Sequence, residues 1–342
     1  MELVETLPAP YYTDPQVYEV ERHAIFAKAW NLVAYQHQLS HPGDYVTEDL
    51  AGWPIFVQRT SDGRLIGFHN VCPHRAGPIM FDGQGCQANL VCRYHGWAFN
   101  QDGSLRNARD FGVELADGPG LTPLRVQSWR GMVFVTLDPD LPDLVEWLGE
   151  FPATCARFPV ESYRFHSRSV RPMRANWKTY ADNFNEGYHL PTIHPETLSR
   201  AVEAMAYRVH VGPDPRWNLH VAPQRGGTDW TGIWGYFWPS FSFNIFDDGM
   251  AIERWLPRGH DRCDLIFEYF FLDDAVGIDD IVKESEEVAD EDLLVCEHVQ
   301  RNLASGRYRT GILSPRHEHA LAVFATLIHD AVDPHLPDLA RR

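Results

Sequence analysis

The spacing of apolar residues changes twice along the chain. Near the start, Val17, Val20, Ala24 and Ala27 recur at near-helical intervals up to Trp30. The preceding Thr13-Asp-Pro-Gln16 has the form of a capping box with Pro15 in the first turn, so an opening helix is predicted after Tyr12. From about Asp44 to Leu137, short runs of Val, Ile, Phe and Trp are punctuated by Asp62-Gly63, Asp82-Gly83, Asp102-Gly103 and Arg130-Gly131. This texture predicts a small all-β domain of hairpins. Pro139 and Pro142 mark its end. Beyond them, helices are predicted near Leu141–Phe151, Trp177–Leu190, Glu196–Ala206, Ile278–Ala304 and Arg316–Ala331. Strands are predicted at Tyr163–Met173, Ala206–His220, Trp230–Phe246, Met250–Leu256 and Leu265–Leu272. The fold class is therefore α+β. Three parts are expected: an N-terminal helical segment (1–40) packing on the last domain, a β domain (41–140), and an α+β domain (141–342).

Composition narrows the function. The 342 residues carry 30 basic and 47 acidic side chains, a net charge of −17. That argues against nucleic-acid binding, which needs a basic face, and against a polybasic membrane anchor. With 44% apolar and 23% charged residues, the chain can bury a core. Met1-Glu-Leu-Val-Glu5 has neither a basic nor an apolar stretch of the kind a signal peptide needs. A soluble, cytoplasmic protein is expected. Six Cys are too few for a disulfide scaffold and are read as thiols or metal ligands. No Gly-x-Gly-x-x-Gly dinucleotide fingerprint is present.

Cys72-Pro-His74 and Cys92-Arg-Tyr-His95, with 17 residues between them, each place a thiolate and an imidazole on one tight loop. Core cysteines and a structural zinc are the plainer readings. Zinc fingers, however, usually keep Cys with Cys and His with His. Mixed loops in the same order suit a Rieske [2Fe–2S] cluster, with two Cys on one iron and two His on the other. Cys86, between the loops, is read as packing.

The densest polar stretch runs from Asn176 to His194. On a helix, Asp182, Glu186 and His189 share one face, with Asn183 beside it. Pro191 ends or kinks that helix, and His194 follows on the exit loop, so both imidazoles can reach one metal. Glu186-Gly-Tyr-His189 is also the Glu-x-x-His element of di-iron bundles, but no second copy exists in the chain. What remains is a 2-His-1-carboxylate site for one Fe(II) with positions open for O2. For the carboxylate, the apolar stripe Val288, Val295, Cys296, Val299 and Leu303 of a helix contains Asp292, whereas Asp290, Glu291, Glu297 and Arg301 fall on the solvent side. A buried acid needs a metal or a basic partner. Both readings stay open for Asp292 on this ground alone.

Cys72-Pro-His-Arg-Ala-Gly77, Cys92-Arg-Tyr-His-Gly-Trp97 and Glu186-x-x-His189-x4-His194 together resemble Rieske non-haem iron oxygenases over nearly the whole chain. The resemblance implies a Rieske domain joined to a helix-grip catalytic domain with an antiparallel sheet. It implies one [2Fe–2S] cluster on Cys72, His74, Cys92 and His95, and one mononuclear Fe(II) on His189, His194 and Asp292. The extra Cys pair of respiratory Rieske proteins is missing, which implies a low-potential cluster. It implies a head-to-tail homotrimer in which Glu186, usually Asp in the family, bridges the cluster of one subunit to the iron of the next; Asp182 is the competing bridge. A separate NAD(P)H-dependent flavin or iron–sulfur reductase, O2 and a small-molecule substrate are the implied partners. Tyr236-Phe-Trp-Pro-Ser-Phe241 and Ile252-Glu-Arg-Trp-Leu-Pro257 resemble the group of choline monooxygenase, glycine betaine monooxygenase and stachydrine demethylase. Hydroxylation or N-demethylation of a methylated or quaternary amine is therefore expected. Trp234, Tyr236 and Trp238 alternate on a strand and suit either a cation cage or the core. An aromatic-ring dioxygenase or O-demethylase is the alternative. A Rieske electron carrier without its own catalysis would need only the residues up to about Leu137.

Overall fold

Arg130 and Gly131 both adopt positive φ, 50° and 86°. That conformation closes the tight hairpin between strands Pro123–Trp129 and Met132–Thr136. The computed structural model describes residues 3–115, 117–225 and 232–336. These divide into two compact units, Phe26–Leu148 and the remainder.

The first unit carries a seven-stranded antiparallel sheet and a three-stranded one. The larger sheet runs, in spatial order, Asn31–Tyr35, Met132–Thr136, Pro123–Trp129, Leu65–His69, Trp53–Arg59, Asp44–Leu50 and Gln84–Cys86. Residues 26–40, expected with the N-terminal segment, run in this unit because Asn31–Tyr35 pairs with Met132–Thr136. One of its apolar clusters contains Phe56, Phe68, Ile79, Met80 and Phe99 together with Cys72 and Cys92.

The second unit is built on a seven-stranded antiparallel sheet: β1 (Arg164–Met173), β2 (Arg208–Val211), β3 (Trp217–Val221), β4 (Ile233–Phe237), β5 (Phe241–Ile245), β6 (Gly249–Gly259) and β7 (Arg262–Phe271). Its spatial order is β1-β7-β6-β5-β4-β3-β2. The helices that matter here are α1 (Pro15–Ala24), α2 (Trp177–Phe184), α3 (Ile278–Leu303) and α4 (His319–Val332). α2 packs on α3 and on β6. A buried ion pair ties α1 to α2: Lys178 Nζ lies 2.5 Å from Glu21, and both side chains are fully buried. The Trp177 indole N–H also donates to Glu21 (2.9 Å).

Several expectations are corrected. The cap of α1 is Asp14, whose carboxylate accepts from the Gln16 N–H; Thr13 closes a separate short helix, Pro10–Thr13. α1 stops at Ala24 rather than Trp30, where the Asn31 side chain takes up the carbonyls of Phe26 and Ala29. The helix expected at Leu141–Phe151 is two short pieces, Leu144–Leu148 and Phe151–Thr154. That at Glu196–Ala206 is Leu198–Ala201 followed by a 3-10 turn, Ala204–Ala206. Pro213 and Pro215 split the strand expected at 206–220 into β2 and β3, because proline cannot donate to a ladder. Within the run expected as one strand at Trp230–Phe246, β4 and β5 form a hairpin; Trp230 and Thr231 lie outside the described residues. Among the described residues no helix is long and apolar enough to cross a membrane.

Candidate metal centres

In the first unit, Cys72 and Cys92 are buried and open two loops of matching hydrogen-bond pattern. The Cys72 N–H donates to the Gly77 carbonyl (2.9 Å), and the Cys92 N–H donates to the Trp97 carbonyl (2.8 Å). Each loop closes four residues on: Ala76 N–H to the Cys72 carbonyl at 2.9 Å, Gly96 N–H to the Cys92 carbonyl at 3.1 Å. Both closing residues are left-handed, with φ of 54° and 76°. The loops meet at Gly77, where a Cβ would lie 2.9 Å from Cys92 Sγ and 2.7 Å from Tyr94 Cβ. Buried Asn70 anchors the first loop, accepting from the N–H groups of Ile79 (2.8 Å) and Met80 (3.0 Å). The rings of His74 and His95 sit with centroids 4.7 Å apart, and His74 stacks on Trp97 at 4.7 Å.

Two thiols and two imidazoles thus converge from paired loops, which is the donor set of a Rieske cluster. Burial pushes the Cys72 thiol up to about 11; the His74 backbone N–H opposes this and the adjacent Cys92 thiol adds to it. A cation is what would make such buried thiols thiolates. Cys86 is not packed: it is exposed, on the short edge strand Gln84–Cys86.

In the second unit, α2 does not reach Leu190, so Asp182, Glu186 and His189 do not share a helix face. The Asn185 side chain donates back to the Ala181 carbonyl (2.8 Å) and accepts from Asn218 Nδ2 (2.7 Å), drawing the backbone off the helix. Gly187 then passes so close to Tyr207 that a Cβ would lie 2.1 Å from its ring. Within this loop, Glu186 accepts from the N–H groups of Tyr188 and His189 (the latter 3.2 Å), and its Oε1 lies 2.5 Å from His189 Nδ1. Asp182 accepts from the Tyr12 hydroxyl at 2.5 Å. His189 and His194 flank the short helix Leu190–Ile193, with Pro191 in its first turn.

His189, His194 and Asp292 place ligand atoms within 4.8 Å of one another. The Asp292 carboxylate oxygen lies 2.9 Å from His194 Nε2 and 3.6 Å from His189 Nε2, and accepts from Asn183 Nδ2 (3.1 Å). On α3 the buried stripe is Ala289, Asp292, Cys296, Gln300 and Leu303. Val299, expected in the stripe, is 41% exposed. Glu291, expected to face solvent, lies 2.7 Å from His194 Nδ1 and accepts from the Thr197 hydroxyl (2.7 Å). Helical periodicity cannot reveal such a contact, because Glu291 reaches the site over the flank of its helix. With each Nδ1 held by a glutamate, both Nε2 atoms are left to face Asp292, as in imidazoles that bind a metal through Nε2 while a carboxylate fixes the other nitrogen. Burial alone would lower the His194 imidazole, but its contacts with Asp292 and Glu291 outweigh this and raise it. The three side chains fit one divalent metal of the facial-triad kind.

A cavity of about 670 Å³ adjoins the triad. Its apolar wall includes Tyr180, Phe184, Tyr207, Trp234, Phe246 and Phe267. Of the three aromatic residues singled out on the strand, Trp234 lines it. Tyr236 stacks on Trp255 at 5.9 Å, and Trp238 packs on Trp177 and Phe324, so both serve the core. Trp238 has already left the alternation, since β4 ends at Phe237.

Residues 29–116 match the Rieske [2Fe-2S] domain, and residues 160–333 match the ring hydroxylating alpha subunit (catalytic domain). The chain is 32% identical to the chloroplastic choline monooxygenase of Spinacia oleracea, over 90% of its own length and 73% of that protein's. It is 31% identical to the carnitine monooxygenase oxygenase subunit of Acinetobacter baumannii, over 94% of each. The crystal structure of the quaternary ammonium Rieske monooxygenase CntA in complex with an inhibitor superposes with a TM-score of 0.86 at 30% identity, covering 96% of both chains. Naphthalene 1,2-dioxygenase from Rhodococcus sp. (TM-score 0.77, 20% identity, 96% and 95% covered) shares the fold. On the paired loops, the His–His–Asp cluster and these matches, the chain belongs to the ring-hydroxylating alpha-subunit family and is a Rieske non-haem iron oxygenase, with one [2Fe–2S] cluster and one mononuclear iron as its cofactors.

Proposed function

We propose that this chain is the oxygenase component of a system that hydroxylates a carbon beside the nitrogen of a small quaternary or methylated amine. The carrying observation is the charge of the cavity. Glu186, Asp292, Glu196, Glu253, Glu284 and Glu287 line it, and among its described lining residues the one Lys or Arg is Arg200, which is paired with Glu196. Aromatic faces and fixed negative charge suit a cation and repel an aromatic acid. The relatives named for choline, carnitine and quaternary ammonium substrates support the same class.

Cys72, His74, Cys92 and His95 would hold the cluster, and His189, His194 and Asp292 the iron, which when bound supplies O2 activation. Glu186 and Glu291 orient the two imidazoles through Nδ1 and keep Nε2 available. Glu186 would also link this iron site to the cluster of a neighbouring subunit in a head-to-tail homotrimer. A solved relative described for inter-subunit electron transfer supports that arrangement. Two electrons from a separate NAD(P)H reductase, two protons and one O2 convert the C–H to C–OH with release of water. Where the hydroxyl sits beside nitrogen, the product then collapses to an amine and an aldehyde. The system works in the cytoplasm.

The test is O2 uptake by the reconstituted enzyme with a surrogate reductase, over choline, betaines, carnitine and aromatic acids. Uptake and aldehyde formation are expected with quaternary amines. Turnover confined to aromatic substrates would replace this reading with ring dioxygenation or O-demethylation. A cluster that passes electrons to another protein, with no substrate oxidation, would make the chain a carrier.

A further inference from the structure

We propose that the Glu253 carboxylate is the anion that anchors the substrate's cationic nitrogen, making it a specificity-determining residue of this cavity. The inference rests on the cationic-substrate reading above. Glu253 sits near the middle of β6, opposite Ser242 on β5 and Phe267 on β7, and is 8% exposed. It lines the cavity together with Tyr180, Asn244, Trp234 and Phe267.

Its partners set it apart from the other deeply buried glutamates. Glu268 is matched by Arg254 at 3.1 Å, and Glu21 by Lys178 at 2.5 Å. Glu253 accepts from neutral donors, among them the Tyr180 hydroxyl (3.0 Å) and Asn244 Nδ2 (3.3 Å). Among the described residues no Lys, Arg or His forms an ion pair with it. A carboxylate buried without a cation is costly, and proteins normally supply the missing charge. Burial pushes its carboxyl up to about 7, with the Tyr180 hydrogen bond opposing and nearby Asp292 adding to the rise.

A quaternary ammonium matches this environment in kind. It has no N–H to donate, so it gains nothing from directional acceptors and depends on net charge and π faces. Tyr180 and Asn244 hold the carboxylate in place without neutralising it, and the rings of Phe184, Trp234 and Phe267 supply the apolar surroundings its methyl groups need. The cavity then selects a permanently cationic head over an uncharged one of the same shape.

The experiment compares choline with its uncharged carbon isostere, 3,3-dimethylbutan-1-ol, by calorimetric binding to the resting holoenzyme and by steady-state kinetics. Wild type is expected to favour choline. In Glu253→Gln that preference should fall by roughly thirtyfold or more, the cost of removing one partner of a buried charge pair. Isostere binding should be little changed, and KM should move far more than kcat. Glu253→Asp should restore part of the preference. The visible spectrum of the cluster and circular dichroism report whether each variant is folded, and either variant suffices if the other fails to fold. An undiminished preference in Glu253→Gln, or a fall in kcat at constant KM, would overturn the anchoring role. A wild type that binds both ligands alike would instead sink the cationic-substrate reading itself.

Discussion

His194 Nε2 lies 2.9 Å from the Asp292 carboxylate, although 98 residues separate the two in the chain. The first comes from a loop that breaks off α2, the second from the buried stripe of α3. Neither would be held near the other without the packing of α2 on α3. Asp292→Ala removes an anion that two imidazoles face. We expect the mononuclear iron to be lost and turnover to stop while the brown cluster persists. Metal analysis and the cluster's electron paramagnetic resonance signal check this. Full iron content with normal turnover would move the ligand role to another acid.

Glu291 holds the other nitrogen of the same imidazole. Glu291→Gln should weaken iron binding by about 10–100-fold, the usual effect of losing a carboxylate behind a metal-binding histidine. Iron titration of the apo triad, with the cluster intact, measures it. An unchanged affinity would mean that Glu291 merely caps Thr197 and the loop.

Glu186 stands behind His189 as Glu291 stands behind His194, so loss of either should cost similar iron affinity, and the Glu186 variants are compared at saturating iron, where the site stays filled. Glu186→Gln should keep the cluster spectrum and the iron, yet lose most substrate-dependent O2 consumption, with Glu186→Asp partly active. The deciding measurement is single-turnover oxidation of the prereduced cluster in the presence of substrate and O2. A wild-type rate in Glu186→Gln would turn attention to Asp182.

Gly77 lies where the two cysteine loops meet. Gly77→Ala would place a methyl group 2.9 Å from Cys92 Sγ, so the loops would have to part. Cluster content is expected to drop sharply, as it would in Cys72→Ser or His95→Cys. Cys86→Ser, on an exposed edge, should leave the cluster signal untouched. Loss of the signal in Cys86→Ser with retention in Cys72→Ser would overturn the ligand assignment.

Buried His220 lies between Asn218 (2.9 Å) and the Tyr207 hydroxyl, and burial pushes it down to about 3. Its folded value is below its unfolded one, so the unfolded chain binds the extra proton. The stability this difference supplies is complete above about pH 6.5 and is lost as the pH falls toward 3, by about 1.4 kcal/mol per unit. Compared with His220→Gln, wild type should lose stability faster across that window, read from paired thermal melts. Parallel pH dependences would show that His220 is not buried in its neutral form.

The metal chemistry was legible in the linear chain because the candidate ligands come in local clusters. Cys72/His74, Cys92/His95 and His189/His194 each lie within a few residues, and a short loop constrains them whatever the rest of the fold does. The hairpin pattern of the first unit and the long helix α3 were legible too, since turn pairs and apolar periodicity are local signals. Asp292 stood out as an acid in an apolar stripe, but the choice between metal ligand and salt bridge needed the two imidazoles brought to it. The tertiary structure alone decided the rest. Helical periodicity ran past Phe184, yet the Asn185–Asn218 contact and the close passage of Gly187 by Tyr207 ended the helix, re-aiming Glu186 and His189. Glu253 lies in the Ile252–Pro257 stretch that carries the family resemblance, but neither it nor Glu291 showed its role in the sequence, because that role depends on what stands opposite: a histidine ring nitrogen for Glu291 and, among the described residues, no basic partner across the sheet for Glu253. Spacing along a chain records neighbours within a few residues. Whether a buried charge is matched is settled only when strands and helices distant in sequence close around it.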